Sequence, residues 1–79
     1  MALDIYSEAE IVIEALGRQG LGADGEALRD AIRAGSTSTE ILMAMRWHLR
    51  HLSGSPHSVD DDTKRRIRSL LLELDRILA

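Results

Sequence analysis

Three histidines in the second half of the chain are the residues whose chemistry first needs an explanation. His48 and His51 are three positions apart in a predicted helix, and His57 follows in a predicted loop. Two histidines at that spacing can share a metal ion, but a zinc site needs three or four ligands. No aspartate or glutamate lies between Ala44 and Ser58. We therefore expect no metal site, and we interpret the two helical histidines as surface residues that suit a helix C-terminus.

Catalytic motifs are missing from the sequence. It contains no G-x-S-x-G elbow, phosphate-binding loop, dinucleotide fingerprint or H-E-x-x-H pair. The serines and threonines cluster where helices are predicted to begin, and that position explains them without catalysis. A chain of 79 residues has little room for a substrate pocket beside its own core. We expect no enzymatic activity and no cofactor.

Residues 35–52, GSTSTEILMAMRWHLRHL, contain the only tryptophan of the chain. The apolar run at 41–45 places side chains all around a helix, so one face can form the core while another remains. The remaining face carries Met43, Trp47 and Arg50, which belong to residue types enriched in protein interfaces. It must either contact another helix of this chain or stay available to a partner, and the sequence leaves both alternatives open.

Partial exposure of Trp47 is the alternative that we favour. Met45, Leu49 and Leu52 already supply an inward face for this helix without the indole. A smaller apolar excess occurs in the last predicted helix, at Leu72 and at Val59. The predicted partner-binding residues are Met43, Trp47, Arg50 and Leu72.

Caps and hydrophobic spacing predict four helices that would hold these residues, at about 5–17, 25–34, 37–52 and 59–78. No segment alternates long enough to form a strand. Each predicted start has a residue whose side chain can cap a helix: Ser7 (with Asp4 as the rival), Asp24, Thr37 followed by Glu40, and Ser58 or Asp60. We predict a single all-α domain over residues 1–79, a compact four-helix bundle whose short second helix packs at an angle.

Composition limits the setting of the domain. Cysteine is absent, so no disulfide or thiolate metal site can reinforce it. No stretch approaches the roughly 20 apolar residues of a membrane span, and the N-terminus MALDIYSEAE does not resemble a secretory signal. We expect a cytoplasmic protein with no membrane partner.

The charges are distributed unevenly along the chain. Residues 1–40 contain eight acidic and three basic residues, whereas residues 41–79 contain five acidic and seven basic residues. The net charge of -3 and this division favour a protein partner over nucleic acid. In the basic segment KRRIR at 64–68, the first three bases follow acids by four positions, and this spacing is typical of a solvent-exposed helix face.

The function predicted from these observations is a small, non-enzymatic protein-interaction module. Its partner would be a second copy of the chain, as in a homodimer, or another protein, as in an inhibitor or immunity-like role. The alternative is a helix-turn-helix-like nucleic-acid regulator that uses the corner between the second and third helices. Thr39, Glu40, Ile41 and Leu42 occupy the positions that would meet DNA there. A glutamate followed by apolar residues makes nucleic acid the weaker reading.

Overall fold

Four helices make up nearly all of the described chain. A computed structural model describes residues 4–52 and 59–79. The helices are α1 (Ile5–Arg18), α2 (Gly22–Ala34), α3 (Ser38–Arg50) and α4 (Asp61–Leu78), and no strand occurs in those two ranges. The predicted all-α, four-helix domain is confirmed. The predicted break at SGSPHS, including His57 and the candidate cap Ser58, falls outside the described residues.

The helices pack in a closed ring. α1 packs against α2 and α4, and α3 also packs against α2 and α4, while the diagonal pairs α1–α3 and α2–α4 do not approach each other. The domain measures 31 × 27 × 18 Å. Because each helix touches two neighbours, each buries one side and turns another side outward.

Aliphatic side chains from all four helices fill the centre of the ring. One side of α1 is buried, and Leu28, Met45 and Leu70 from the other three helices are fully buried as well. Val59, which we predicted as part of an exposed excess, is instead buried in this core, whereas Ile77 of α4 is exposed. The core residues are Ile5, Ala9, Val12, Ile13, Leu16, Leu28, Met45, Leu49, Val59, Leu70 and Leu74.

The start of α1 agrees with the predicted bound of about residue 5 but uses the rival cap, whereas the start of α2 differs from the prediction. Asp4, not Ser7, caps α1: its carboxylate accepts bonds from the Ser7 amide and, at 2.8 Å, from the Ser7 hydroxyl. This earlier start brings Ile5 into the core. The prediction of Asp24 as the cap of α2 is wrong, because α2 begins at Gly22 with no side-chain cap. α2 is therefore longer than predicted and equals α3 in length.

A tight turn explains the early start of α2. Gly20 has φ = +81°, in the left-handed region that glycine adopts at little cost. The amide of Leu21 donates a 2.8 Å bond to the carbonyl of Leu16, as in a Schellman motif. The chain reverses at once, so α2 follows α1 almost directly.

The starts of α3 and α4 agree with the prediction. The hydroxyl of Thr37 accepts a bond from the Glu40 amide at 3.2 Å. The Glu40 carboxylate in turn accepts bonds from the Ser36 amide and hydroxyl. Asp60 caps α4 by accepting a 2.8 Å bond from the Thr63 amide. These bonds pair amides that a helix start leaves without partners.

The end of α1 and the start of α4 are joined by a partly buried polar contact. The side chain of Gln19 donates to the hydroxyl of Thr63 at 2.9 Å and accepts the amide of Asp60 at 2.7 Å. Thr63 is almost fully buried, so these bonds offset the cost of removing its hydroxyl from water. They fix where the last helix begins relative to the first. No helix in the described ranges is long and apolar enough to cross a bilayer.

Gly25 of α2 lies close to the backbone of α1, and it gives a test of the packing. A Cβ atom at Gly25 would lie 3.1 Å from the backbone oxygen of Ile13. We expect Gly25→Leu to lower the free energy of unfolding by about 1–3 kcal/mol, because the helices must separate. Gly22→Ala is the control, since open space surrounds that position, and we expect it to raise stability by up to about 1 kcal/mol. Urea unfolding measures both, and equal effects would contradict this account.

Acid sensitivity should arise in part at the cap of α4. Bonds from the hydroxyl and the amide of Thr63 hold the pKa of the Asp60 carboxyl below its ordinary value. A lowered pKa in the folded state stabilises the domain above the ordinary pKa of about 3.9, and this stability is lost as the pH falls below it. We expect Asp60→Asn, which keeps a capping oxygen, to show a smaller fall in melting temperature on acidification than the unsubstituted protein. An equal fall would contradict this role.

Candidate partner-binding surface

α3 has a buried side and an exposed side. Met45 and Leu49 face the core, whereas Met43 and Trp47 are 50% and 57% exposed. The exposure of these two side chains shows that no other described helix covers this outer side. The partial exposure that we favoured for Trp47 is what the structure has.

Both helical histidines contact the indole of Trp47. The ring of His51 stacks on it, with centroids 4.3 Å apart and planes inclined by 16°. The ring of His48 meets it edge-on at 5.1 Å. Stacked and edge-on rings attract each other, so the histidines hold the indole in one orientation. This arrangement presents a defined aromatic surface rather than a freely rotating side chain.

A backbone contact fixes the orientation of His51. Its Nδ1 atom lies 2.8 Å from the carbonyl oxygen of Trp47. A carbonyl can only accept, so Nδ1 carries a proton in this contact and Nε2 is the nitrogen left for other partners. Among residues 4–52 and 59–79, no three side chains of metal-binding type gather within reach of one ion. His57 lies outside these ranges.

Arg50, the basic residue of the predicted site, is anchored to α4. Its guanidinium donates to Asp75 at 2.7 Å, and Arg46 donates to the same carboxylate oxygen at 3.4 Å. One carboxylate thus connects two turns of α3 to α4. Arg50 is still about half exposed, so donors of its guanidinium remain accessible. These two ion pairs were not predicted from the sequence, because they depend on how α3 and α4 pack.

The fourth predicted residue, Leu72, lies on a different helix. It is 65% exposed and is one helical turn before Asp75 on α4. Met43, Trp47 and Arg50 therefore form one strip along α3, and Leu72 is placed beside that strip rather than within it. The surface is centred on α3.

Glu40 extends this strip toward the start of α3. It was not among the binding residues predicted from the sequence. Glu40, Met43, Trp47 and Arg50 follow one another at spacings of three, four and three residues, which place side chains along one side of a helix. All four are exposed. We call these four residues the outer seam. The spacing is visible in the sequence, but Glu40 was considered there only as a cap residue and as a position that would meet DNA.

The corner between α2 and α3 has an acidic and partly buried character. Thr39 and Glu40 are exposed, but Ile41 and Leu42 pack against the core. The carboxylate of Glu40 lies at the start of α3, bound to Ser36. In a helix-turn-helix protein this helix start faces base edges and phosphates. A negative charge there opposes DNA binding, so the corner supports the nucleic-acid alternative poorly.

Two bases of the KRRIR segment of α4, Arg65 and Arg66, pair with nearby acids. Arg66 pairs with Asp62 at 3.2 Å and with Glu8 of α1 at 2.9 Å, and these bonds raise the pKa of Arg66 above its ordinary value. Arg65 approaches Asp62, not Asp61 as predicted. This segment therefore serves the α1–α4 contact and the solvated surface.

The fluorescence of Trp47, the only tryptophan, tests its exposure. We expect long-wavelength emission and ready quenching by iodide in dilute protein, because most of the indole faces water. We expect His51→Ala to increase the quenching further, since it uncovers the stacked face. Short-wavelength emission that resists iodide would contradict the exposed position and would remove Met43, Trp47 and Arg50 as a binding surface.

Comparison of this chain with protein-family models, with curated proteins and with solved structures finds no match in any of the three.

Proposed function

We propose that this chain is a non-enzymatic protein-interaction module that binds a protein partner through the outer side of α3. The observation that carries the proposal is the exposure of Trp47, held between two histidine rings. Exposing a large aromatic side chain forgoes the free energy that its burial would supply. In a small domain with few core residues this loss is substantial, and a partner that covers the ring would recover it.

The residue types around Trp47 support a protein partner. Tryptophan and arginine are the residues most often responsible for the binding energy of protein interfaces. Methionine beside them adapts its shape to different surfaces. Met43 lies one turn before Trp47, and Arg50 lies one turn after it. The arrangement combines an apolar centre with a charged rim, as protein interfaces do.

The anchoring of Arg50 also supports binding. Because Asp75 holds its guanidinium, less side-chain freedom is lost when a partner contacts it. The ring contacts of His48 and His51 restrict Trp47 in the same way. A surface ordered before binding loses less conformational entropy on association. An inhibitor or immunity-like role remains a prediction within this proposal.

Site-specific photo-cross-linking tests the proposal. A photoreactive amino acid replaces Met43 in cells of the source organism, and Glu14, an exposed residue of α1, is the matched control position. We expect a discrete adduct from position 43 that is absent from position 14 and is lost in the Trp47→Ala variant. Mass spectrometry then identifies the cross-linked protein.

The identified protein must also bind in purified form. We expect it to shift the emission of Trp47 to shorter wavelength and to reduce iodide quenching, because binding removes the indole from water. No specific adduct at position 43, or an adduct whose protein leaves the fluorescence unchanged, would overturn the proposal.

A further inference from the structure

The outer seam has charges of opposite sign at its two ends. Glu40 is at the N-terminal end and Arg50 at the C-terminal end, with Met43 and Trp47 between them. The midpoint between Glu40 and Arg50 and the midpoint between Met43 and Trp47 both lie at the level of Met45. Met45 itself is buried in the core on the opposite side of α3. The charged residues are about 15 Å apart along the axis, at 1.5 Å per residue.

The order of these residues along α3 is complementary to the same order on a second α3 that runs in the opposite direction. A two-fold axis that runs beside α3, perpendicular to it and level with Met45, places a second α3 antiparallel to the first with the two outer seams facing each other. Glu40 of one copy then lies beside Arg50 of the other, and Met43 lies beside Trp47. Two-fold interfaces use the same patch on both subunits, so each of these contacts occurs twice.

We infer that the protein that covers this surface is a second copy of the chain, bound antiparallel along the outer seam. The inference rests on the proposed function and names its partner. Spacings of three and four residues are those of a coiled-coil seam, in which side chains of facing helices interdigitate. The thioether of Met43 contacts the indole of Trp47 on the other copy, a favourable pairing of sulfur with an aromatic ring.

The charges select the antiparallel orientation. A parallel pair would place Glu40 beside Glu40 and Arg50 beside Arg50, and such like-charge contacts are unfavourable. Glu40 and Arg50 each have a further hydrogen-bonding atom beyond those used in their bonds within the chain. Glu40 uses one carboxylate oxygen to bind Ser36, and Arg50 uses one terminal nitrogen to bind Asp75. Each can therefore form an ion pair across the two-fold axis without losing the contact that orders it.

The rest of the surface is consistent with this arrangement. A two-fold axis perpendicular to α3 keeps α4 of both copies on the same flank of the interface, where Leu72 adds an exposed apolar side chain. Trp47 stays 57% exposed although His51 stacks on it, so indole surface remains for contact with the second copy. The seam extends over only about three turns, so we expect a weak dimer.

Charge reversal tests both the partner and the orientation. We expect sedimentation over a wide concentration range to show a monomer–dimer equilibrium. Glu40→Arg places Arg50 beside an arginine in both contacts of its dimer, and Arg50→Glu places Glu40 beside a glutamate. We expect each variant alone to dimerise at least about tenfold more weakly, because like charges meet across the interface.

An equimolar mixture of the two variants should recover the dimer. In the mixed pair, the new arginine at position 40 faces the new glutamate at position 50, and the original Arg50 faces the original Glu40. The matched controls are Glu14→Arg and Arg18→Glu on α1, diagonal to α3 and outside the seam; neither variant alone, nor their mixture, should alter the dissociation constant. Circular dichroism confirms that each variant keeps its helical content.

The outcomes separate this inference from the proposed function. A monomer at every concentration overturns the second copy as partner, while cross-linking from position 43 still decides whether another protein binds there. A dimer that both charge variants retain uses a different surface, and that result also overturns the inference. Variants that are monomeric alone and stay monomeric when mixed exclude the antiparallel register.

Discussion

The shared burial of one apolar stripe from each helix is the constraint on which this fold depends. No disulfide reinforces a chain without cysteine, and no phenylalanine enlarges its core. Eleven buried residues, all aliphatic except Met45, form the core cluster, and nearly all of them belong to the four helices. Because a small domain buries a modest share of its surface, each stripe must face the same centre. The ring of four helices meets this requirement and leaves one outward side on every helix.

Local rules predicted most of the fold, and the errors lie where two local rules compete. Asp4 and Ser7 can both cap a helix, and burial of Ile5 favours the earlier one. Asp24 is a good cap by residue type, but the glycine turn at Gly20 starts α2 sooner. Val59 looked like part of a surface excess until the packing brought it to the core. Such choices depend on tertiary contacts that spacing along the chain does not contain.

The binding surface was predictable to a similar extent. Periodicity separated Met45 from Met43 and Trp47, because they project from opposite sides of one helix. It did not reveal that Asp75 holds Arg46 and Arg50, since that contact joins residues distant in sequence. The stacking of His51 on Trp47 was also not predicted, although residues four apart are neighbours on a helix. The two histidines, considered first as metal ligands, are orienting groups for the indole.

The contact between Gln19 and the start of α4 bears on the order in which the fold forms during synthesis. The ring closes only when α4 joins α1, so the four-helix core cannot be completed before α4 has left the ribosome. A nascent chain that has emerged only as far as α3 leaves Leu16 and Met45 without the leucines of α4. Domains generally fold as units during synthesis, and this ring of helices can do so only once α4 is present. The polar contact of Gln19 with Asp60 and Thr63 joins the first helix to the fourth, so it belongs to that closing step.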